Sequence, residues 1–389
     1  MKPSHYSYID ALRGYAILLV MAVHASQAAP EITGVGRLLL DQGARGVQLF
    51  FVASALTLLL SWNSRDDGVA AFYLRRVFRI APMFWLGIVF FLCLDGFSPR
   101  YFAPNGIDGG DVFLTAVFFH GWHPETITSV VPGGWSIGVE MTFYALFPVL
   151  VLLARGWFST VVLLFSSLVI SNFLIFLFVR VLPQAFPLWE SIPDYLVKTY
   201  LTLWFPNQLP VFVVGFFLYL AIRDFSGKFP LWILNFVFCL VVFVLVLFSI
   251  QSSLPVVFKV NSYVIYGACF GVIAYCLSQG AARWLVNLPI CYLGRVSFSA
   301  YLWHFAVIGV VGKLSVLGFN ALDLLVESRG WGFFIQFFVF LVVVTTLFSS
   351  LTYRFIERPM VRLGSWLIGN LDASRKIEVD ASRAGRSSL

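Results

Sequence analysis

Leu231-Trp-Ile-Leu-Asn-Phe-Val-Phe-Cys-Leu240-Val-Val-Phe-Val-Leu-Val-Leu-Phe-Ser-Ile250 contains no charged residue from end to end. About 20 such residues are what an α-helix needs to cross the ~30 Å hydrocarbon core of a bilayer. Phe333–Tyr353 repeats the pattern, and comparable windows recur along the chain. The whole sequence is 60% hydrophobic and 12% charged, with mean hydropathy +0.88. A soluble domain would not repeat charge-free runs of this length. The Leu/Phe/Val runs lack apolar–polar alternation, which argues against an outer-membrane barrel. The sequence therefore predicts an all-α, polytopic integral membrane protein.

A net charge of +7 could point to nucleic acid. The basic residues instead form short clusters at the ends of apolar runs, which is what orientation in a membrane requires. No nucleic-acid partner is expected. Cys93, Cys239, Cys269, Cys276 and Cys291 are scattered through apolar segments without metal-ligand spacing, so they read as small buried hydrophobes. No metal is expected. The N-terminus resembles a signal peptide, with Lys2 and Arg13 before apolar Gly14–Val23. Its apolar core ends in a histidine, so retention is expected rather than cleavage.

Eleven apolar segments are visible, at 10–29, 46–62, 81–94, 111–121, 134–154, 158–179, 207–222, 230–250, 262–279, 290–312 and 331–353. The fourth is too short to span and is flanked by Gly109, Gly110 and Gly121, so it reads as interfacial or re-entrant. About ten transmembrane helices remain, with N- and C-termini both cytoplasmic. That orientation puts 18 of the 26 Lys and Arg inside, in accord with the positive-inside rule. The expected organisation is a transmembrane domain over 1–368 and a polar cytoplasmic tail over 369–389, whose composition predicts disorder. The outer loops 95–133, 180–206 and 313–330 are the long ones, and no internal repeat argues for an inverted-repeat architecture.

Several polar residues interrupt the apolar pattern. In Asp10-Ala-Leu-Arg13-Gly-Tyr-Ala-Ile-Leu-Leu-Val-Met-Ala-Val-His24, ionisable groups inside a membrane segment are functional candidates. Arg13 and His24 are separated by about 16 Å of helical rise. With Arg13 at the cytoplasmic headgroups, His24 is expected near the midplane. An imidazole there can take a proton from an attacking hydroxyl; a histidine bonded across helices for packing is the plainer alternative. Asp10 is too far along the helix to orient His24, so an orienting group is expected from another helix.

Arg75, Arg76 and Arg79 fall in the turn expected before the third crossing. With Arg13 they suit a phosphate clamp, although orientation charge or anionic-lipid contact accounts for them equally. In Gly133-Gly-Trp135-Ser136-Ile-Gly-Val-Glu140, Ser136 and Glu140 share a helical face. Glu140 is expected about 9 Å below the outer surface with a partner, either positioning substrate or locking helices together. Tyr301-Leu-Trp303-His304 brings a second intramembrane histidine, nine residues above Arg295 and at a depth close to that of His24. Glu357 is placed to pair with Arg13 or Arg75 at the inner mouth; a plain helix stop at Pro359 fits as well.

Taken in order, these stretches resemble the membrane acyltransferase-3 family, the integral-membrane O-acyltransferases of bacterial glycans. The matching residues are Tyr8-Ile-Asp10-Ala-Leu-Arg13-Gly with His24, Gly46-Val-Gln-Leu-Phe50-Phe51-Val-Ala-Ser54, and Leu74-Arg75-Arg76-Val-Phe-Arg79-Ile-Ala-Pro82. Trp135-Ser136-Ile-Gly-Val-Glu140 with Phe143, Tyr144 and Pro148, Phe298-Ser299-Ala-Tyr301-Leu-Trp303-His304, and Phe355-Ile-Glu357-Arg358-Pro359 complete the set. Ala55 stands where the family often has Gly, and Met141 where a second acidic residue is common. The resemblance implies ten transmembrane helices in a bacterial inner membrane, and the short polar tail leads us to expect no appended extracytoplasmic hydrolase-like domain. It also implies transfer of an acyl group, usually acetyl, from cytoplasmic acyl-CoA to a saccharide hydroxyl, such as one on exopolysaccharide or lipopolysaccharide. Arg13 and His24 take the place of the family's essential arginine–histidine pair.

The expected site is then as follows. Arg13, Arg75, Arg76 and Arg79 hold the phosphates of acetyl-CoA, the donor substrate. His24, as general base or transiently acylated, is catalytic with Arg13, Glu140 and His304. Asp10, Trp135, Ser136, Tyr301 and Glu357 contact substrate. The imidazole of His24 is expected to be open to the donor from below and to an alcohol from above. Trp122, Trp189, Tyr195 and Trp204 suit stacking on sugar rings or interfacial anchoring. Membrane lipid, acyl-CoA and a carbohydrate acceptor, free or lipid-linked, are the expected partners. A transporter or exporter of a lipid-linked sugar or small acid would also use intramembrane His and Arg; it is the alternative function.

Overall fold

The computed structural model describes residues 6–65, 67–181, 192–250, 256–316 and 330–370, with the side chains of 256–261 and 315–316 excepted. Trp189 and nearly all of the tail lie outside these residues. Among the described residues the architecture is helical, with a single β-bridge between Arg100 and Ala103. The helices are α1 (Ser7–Gln27), α2 (Gly34–Asp41), α3 (Gly46–Asn63), α4 (Gly68–Asp95), α5 (Gly109–Ala116), α6 (Trp135–Leu153) and α7 (Trp157–Phe176). They continue as α8 (Asp194–Leu203), α9 (Phe205–Phe225), α10 (Leu231–Ile250), α11 (Val256–Ser278), α12 (Leu288–Arg295), α13 (Ser297–Val316) and α14 (Trp331–Thr352).

Nine helical runs among the described residues are long and apolar enough to cross a membrane, and the apolar stretch Ser262–Ser278 of α11 supplies a tenth. The protein is a multi-pass, all-α membrane protein. The segment expected to be interfacial is α5, of only 8 residues. Its start is fixed by reciprocal bonds, Asp111 N–H to Asp108 Oδ1 at 2.9 Å and Asp108 N–H to Asp111 Oδ2 at 3.1 Å, as in a capping box.

Burial sorts the crossings into centre and rim. About two-thirds or more of the apolar window is buried in α1 (67%), in the run Gly34–Asn63 (72%) and in the run Asp194–Phe225 (72%), but only 11% in α10 and in the run Trp157–Val181. The near-continuous Phe/Leu/Val surface of α7 and α10 therefore faces lipid. The polar-bearing helix α1 is wrapped by α3, α12, α13 and α14. So the helix carrying Asp10, Arg13 and His24 is the hub.

Three expectations about the helices need correction. Arg75, Arg76 and Arg79 do not lie in a turn; they sit within α4, continuous over 28 residues. The segment expected at 290–312 is broken at Val296, between α12 and α13, so His304 does not stand on one straight helix above Arg295. Pro359 does not end the last helix. The helical run continues to Asn370 because a π-helical turn over Tyr353–Glu357 loosens the backbone one turn before the proline, whose ring would otherwise meet the carbonyl of Phe355.

α1 and α12 touch backbone to backbone. A Cβ added to Gly294 would stand 1.8 Å from the Asp10 carbonyl oxygen, and small residues are what permit such close helix approach in membranes. Gly294→Ala is expected to separate the two helices and cost at least the ~1–3 kcal/mol of ordinary overpacking. A lower unfolding temperature in detergent, or loss of the monodisperse peak in size-exclusion chromatography, is the readout; a variant as stable as the parent would contradict the packing.

Candidate active site

Two cavities share a wall. The inner one has a cavity volume of roughly 490 Å³ and lies between α1, α4, the α12–α13 junction and the end of α14. Arg13, Arg65, Arg75, Arg76 and Arg79 line one side of it, and Arg295, Arg358 and Arg362 the other, against the carboxylates of Asp10 and Glu357. The second is narrow, with a cavity volume of roughly 60 Å³, and is lined by Arg13 and Arg79 together with Ser54, Glu140, Tyr144, Ser136 and Tyr301. Arg13 and Arg79 line both.

The arginines differ in what already holds them. Arg75 is an ion pair with Asp67, its Nη2 donating to Oδ1 at 2.8 Å. That bond keeps the Asp67 carboxyl below the usual carboxylate range. Arg13 Nη2 donates to Thr57 Oγ1 at 3.2 Å, and Arg76 lies 5.8 Å from the Tyr144 ring centroid. Buried Nε atoms of Arg75 and Arg76 find no hydrogen-bond partner among the described residues. Arg79, on the wall of both cavities, has no hydrogen bond or ion pair among the described residues and so is available to bind an anion.

Glu140 has partners, as a carboxylate at depth requires. Ser54 Oγ donates to its Oε1 at 2.6 Å, and the Tyr144 hydroxyl donates to the same oxygen. Glu357 accepts from Ser299 Oγ at 3.0 Å instead of pairing with Arg13 or Arg75. Ser136 Oγ and the Tyr301 hydroxyl both donate to the Gly133 carbonyl, each at 3.1 Å. Trp135 lines neither cavity and stands edge-on to Phe51. The expected sugar-stacking aromatics are dispersed: Trp204 is buried against Tyr200 and Phe178, Tyr195 lies on Tyr101, and Trp122 is exposed.

His24 sits three residues from the end of α1, about 26 Å along it from Ser7. It is therefore in the outer quarter of the helix, not at its middle. Its orienting group comes from its own helix, contrary to expectation: Nδ1 is 3.1 Å from Gln27 Oε1, one turn on. The second histidine does converge on it, with ring centroids of His24 and His304 5.3 Å apart. Phe305 packs on both, at 4.5 Å and 4.1 Å. Neither cavity reaches His24. The Tyr301 ring, 5.6 Å from that of His304, closes the second cavity just short of the pair, so the imidazole is not open from below as expected.

His120 was given no role by the sequence reading, for a lone histidine in a loop carries no pattern. It is buried, stacks on Phe84 and donates from Nε2 to the Gly134 carbonyl at 2.9 Å, fixing the start of α6 and hence Ser136 and Glu140. Burial pushes its pKa down to about 4. The unfolded chain, with a histidine pKa of ~6.5, binds the proton more readily, so stability is full above pH ~6.5 and falls as pH drops toward 4, by up to ~3 kcal/mol. Melting temperatures at pH 7 and pH 4.5 are expected to differ more for the native protein than for His120→Gln, which keeps the donor; equal differences would contradict this.

Comparison with known proteins bears on what this arrangement does. A family model described as an acyltransferase domain matches residues 6–354. The chain belongs to this acyltransferase-3 family. It is an acyltransferase, and the transporter alternative falls away. The exopolysaccharide production protein ExoZ of Rhizobium meliloti (strain 1021) is 27% identical over 354 residues, covering 89% of this chain and 95% of that protein. The acyltransferase MdmB of Streptomyces mycarofaciens is 26% identical over 384 residues, 91% of each chain. A protein of Staphylococcus aureus (strain COL), named as a candidate O-acetyltransferase, is 25% identical over 386 residues. The match covers 92% of this chain and 57% of the staphylococcal protein. No solved structure matches the chain.

Proposed function

We propose that the protein is an inner-membrane O-acyltransferase that moves an acetyl group from cytoplasmic acetyl-CoA to a hydroxyl of an exported or cell-envelope saccharide. The observation that carries this reading is the wall of Arg13 and Arg79 common to a cationic inner cavity and a second cavity ending beside the His24–His304 pair. The residues present fit the donor. Eight guanidiniums against two carboxylates leave a surplus of positive charge, and the forked guanidinium suits phosphate oxygens. The name of the Rhizobium relative supports an exopolysaccharide as acceptor class, and the staphylococcal name supports acetyl as the group transferred.

In this reading Arg13, Arg75, Arg76 and Arg79 bind the nucleotide phosphates. The ~16 Å rise from Arg13 to His24 is of the order of the pantetheine arm, which passes Glu140 and Tyr144 as the narrow second cavity widens to admit it. Displacement of Tyr301 admits the thioester to the imidazoles. His24 Nε2, its Nδ1–H held by Gln27, removes the acceptor hydroxyl's proton as the oxygen attacks the thioester carbonyl. The C–O bond forms, the C–S bond breaks, and the imidazolium returns the proton to the departing thiolate. Base catalysis of this kind contributes about 10²–10⁴ in rate.

The test is purified protein in nanodiscs with acetyl-labelled acetyl-CoA and bacterial envelope saccharide. Label in the saccharide with one CoA released per acetyl transferred is expected; transfer from a non-CoA donor only would overturn the donor, and label in lipid or protein only would overturn the acceptor.

A further inference from the structure

His304 is fully buried, yet its Nε2 has no hydrogen-bond partner among the described residues. Its Nδ1 lies 3.2 Å from the carbonyl oxygen of Ala300. A carbonyl only accepts, so Nδ1 carries the proton and Nε2 is a bare lone pair. His24 is in the same tautomer, because Gln27 Oε1 accepts from its Nδ1. Two imidazole acceptors thus stand with ring centroids 5.3 Å apart, and two acceptors cannot bond each other. A buried acceptor left unmet is a cost that native structures explain by a ligand or a function.

One side chain covers the pair. Phe305 packs on both rings and is itself only half-buried. Gly133 holds it close from the other side: at φ +74° and lacking a Cβ, it leaves the space where that atom would come within 2.6 Å of Phe305 Cε2. A rotamer change of Phe305 therefore uncovers the faces of both imidazoles on which it packs. A ligand with two neighbouring donors meets the buried His304 Nε2 and the adjacent His24 Nε2 together.

We infer that His24 and His304 together read a vicinal diol of the acceptor. One hydroxyl gives its proton to His24 Nε2 and attacks, while its neighbour donates to His304 Nε2. His304 is then the residue that selects which hydroxyl is acylated. This inference rests on the acyl-transfer reading above and narrows its acceptor to sugars or polyols with hydroxyls on adjacent carbons.

The experiment compares trans-cyclohexane-1,2-diol with cyclohexanol as acceptors for the native protein, His304→Phe and His304→Gln in nanodiscs, with acetyl-labelled acetyl-CoA. His304→Phe keeps the ring without the acceptor; His304→Gln restores an acceptor oxygen near the Nε2 position. Native protein is expected to prefer the diol in kcat/KM by about 10–100-fold, as a site built to bond a second hydroxyl does. The preference should collapse toward unity in His304→Phe and return in part in His304→Gln. An equal preference in the native protein and His304→Phe, or none in the native protein, overturns the inference. So does transfer to envelope saccharide with none to either probe. Absence of transfer to every acceptor, saccharide included, overturns instead the underlying acyl-transfer reading.

Discussion

Alanine in place of His24 is expected to lower acetyl transfer by about 10²–10⁴-fold, the usual worth of a positioned base, while the protein still folds and still binds acetyl-CoA. The last two clauses follow from position. His24 is one turn from the outer end of α1 and half-exposed, so truncating it removes little of the packing that α1 makes with α3 and α12. It lines neither cavity, so nucleotide binding at the far end should persist. Initial rates with labelled acetyl-CoA, together with an unfolding curve, separate these effects. Undiminished transfer by the folded variant would remove His24 from the chemistry.

The second large effect is expected at Arg79. It is on the wall of both cavities and, unlike Arg75 with Asp67 or Arg13 with Thr57, has no hydrogen bond or ion pair among the described residues. Its guanidinium is thus available to a phosphate, and a charge-assisted bond of that kind is worth ~1.5–3 kcal/mol. Arg79→Ala should raise the KM for acetyl-CoA by about 10–100-fold with a smaller change in kcat, because the lost contact is made in ground and transition states alike. Arg79→Lys should recover part of the loss, since it restores the charge but not the fork. An unchanged KM in Arg79→Ala would place the donor elsewhere.

Much of this site could be read from the chain. Charge-free runs carried the fold class. Ionisable residues in apolar surroundings pointed to α1, α4, α6 and α13, because only functional or well-partnered groups persist there. Convergence of His24 and His304 was legible from their similar depth, and Ser54 and Tyr144 supply the partner that Glu140 demanded.

What escaped the sequence is local geometry. The break at Val296 has no proline or glycine at that position to announce it. The π-turn before Pro359 preserves a helix that the proline alone would end. Gln27 was passed over because a polar residue at a helix terminus ordinarily just meets solvent, and His120 because its role lies in a carbonyl fourteen residues away. Tyr301 lines the second cavity and also packs on His304, a double contact that spacing along the chain does not show.

That layer of Tyr301 makes the path from arginines to imidazole the claim most worth testing, and a structure of the protein in nanodiscs with a non-hydrolysable thioether analogue of acetyl-CoA tests it directly. The account predicts phosphates among Arg13, Arg75, Arg76 and Arg79, the arm beside Glu140 and Tyr144, and the Tyr301 ring displaced so that the sulfur lies next to His24 and His304. Nucleotide density outside the arginine cavity, or an arm that ends away from both histidines with Tyr301 unmoved, would contradict it.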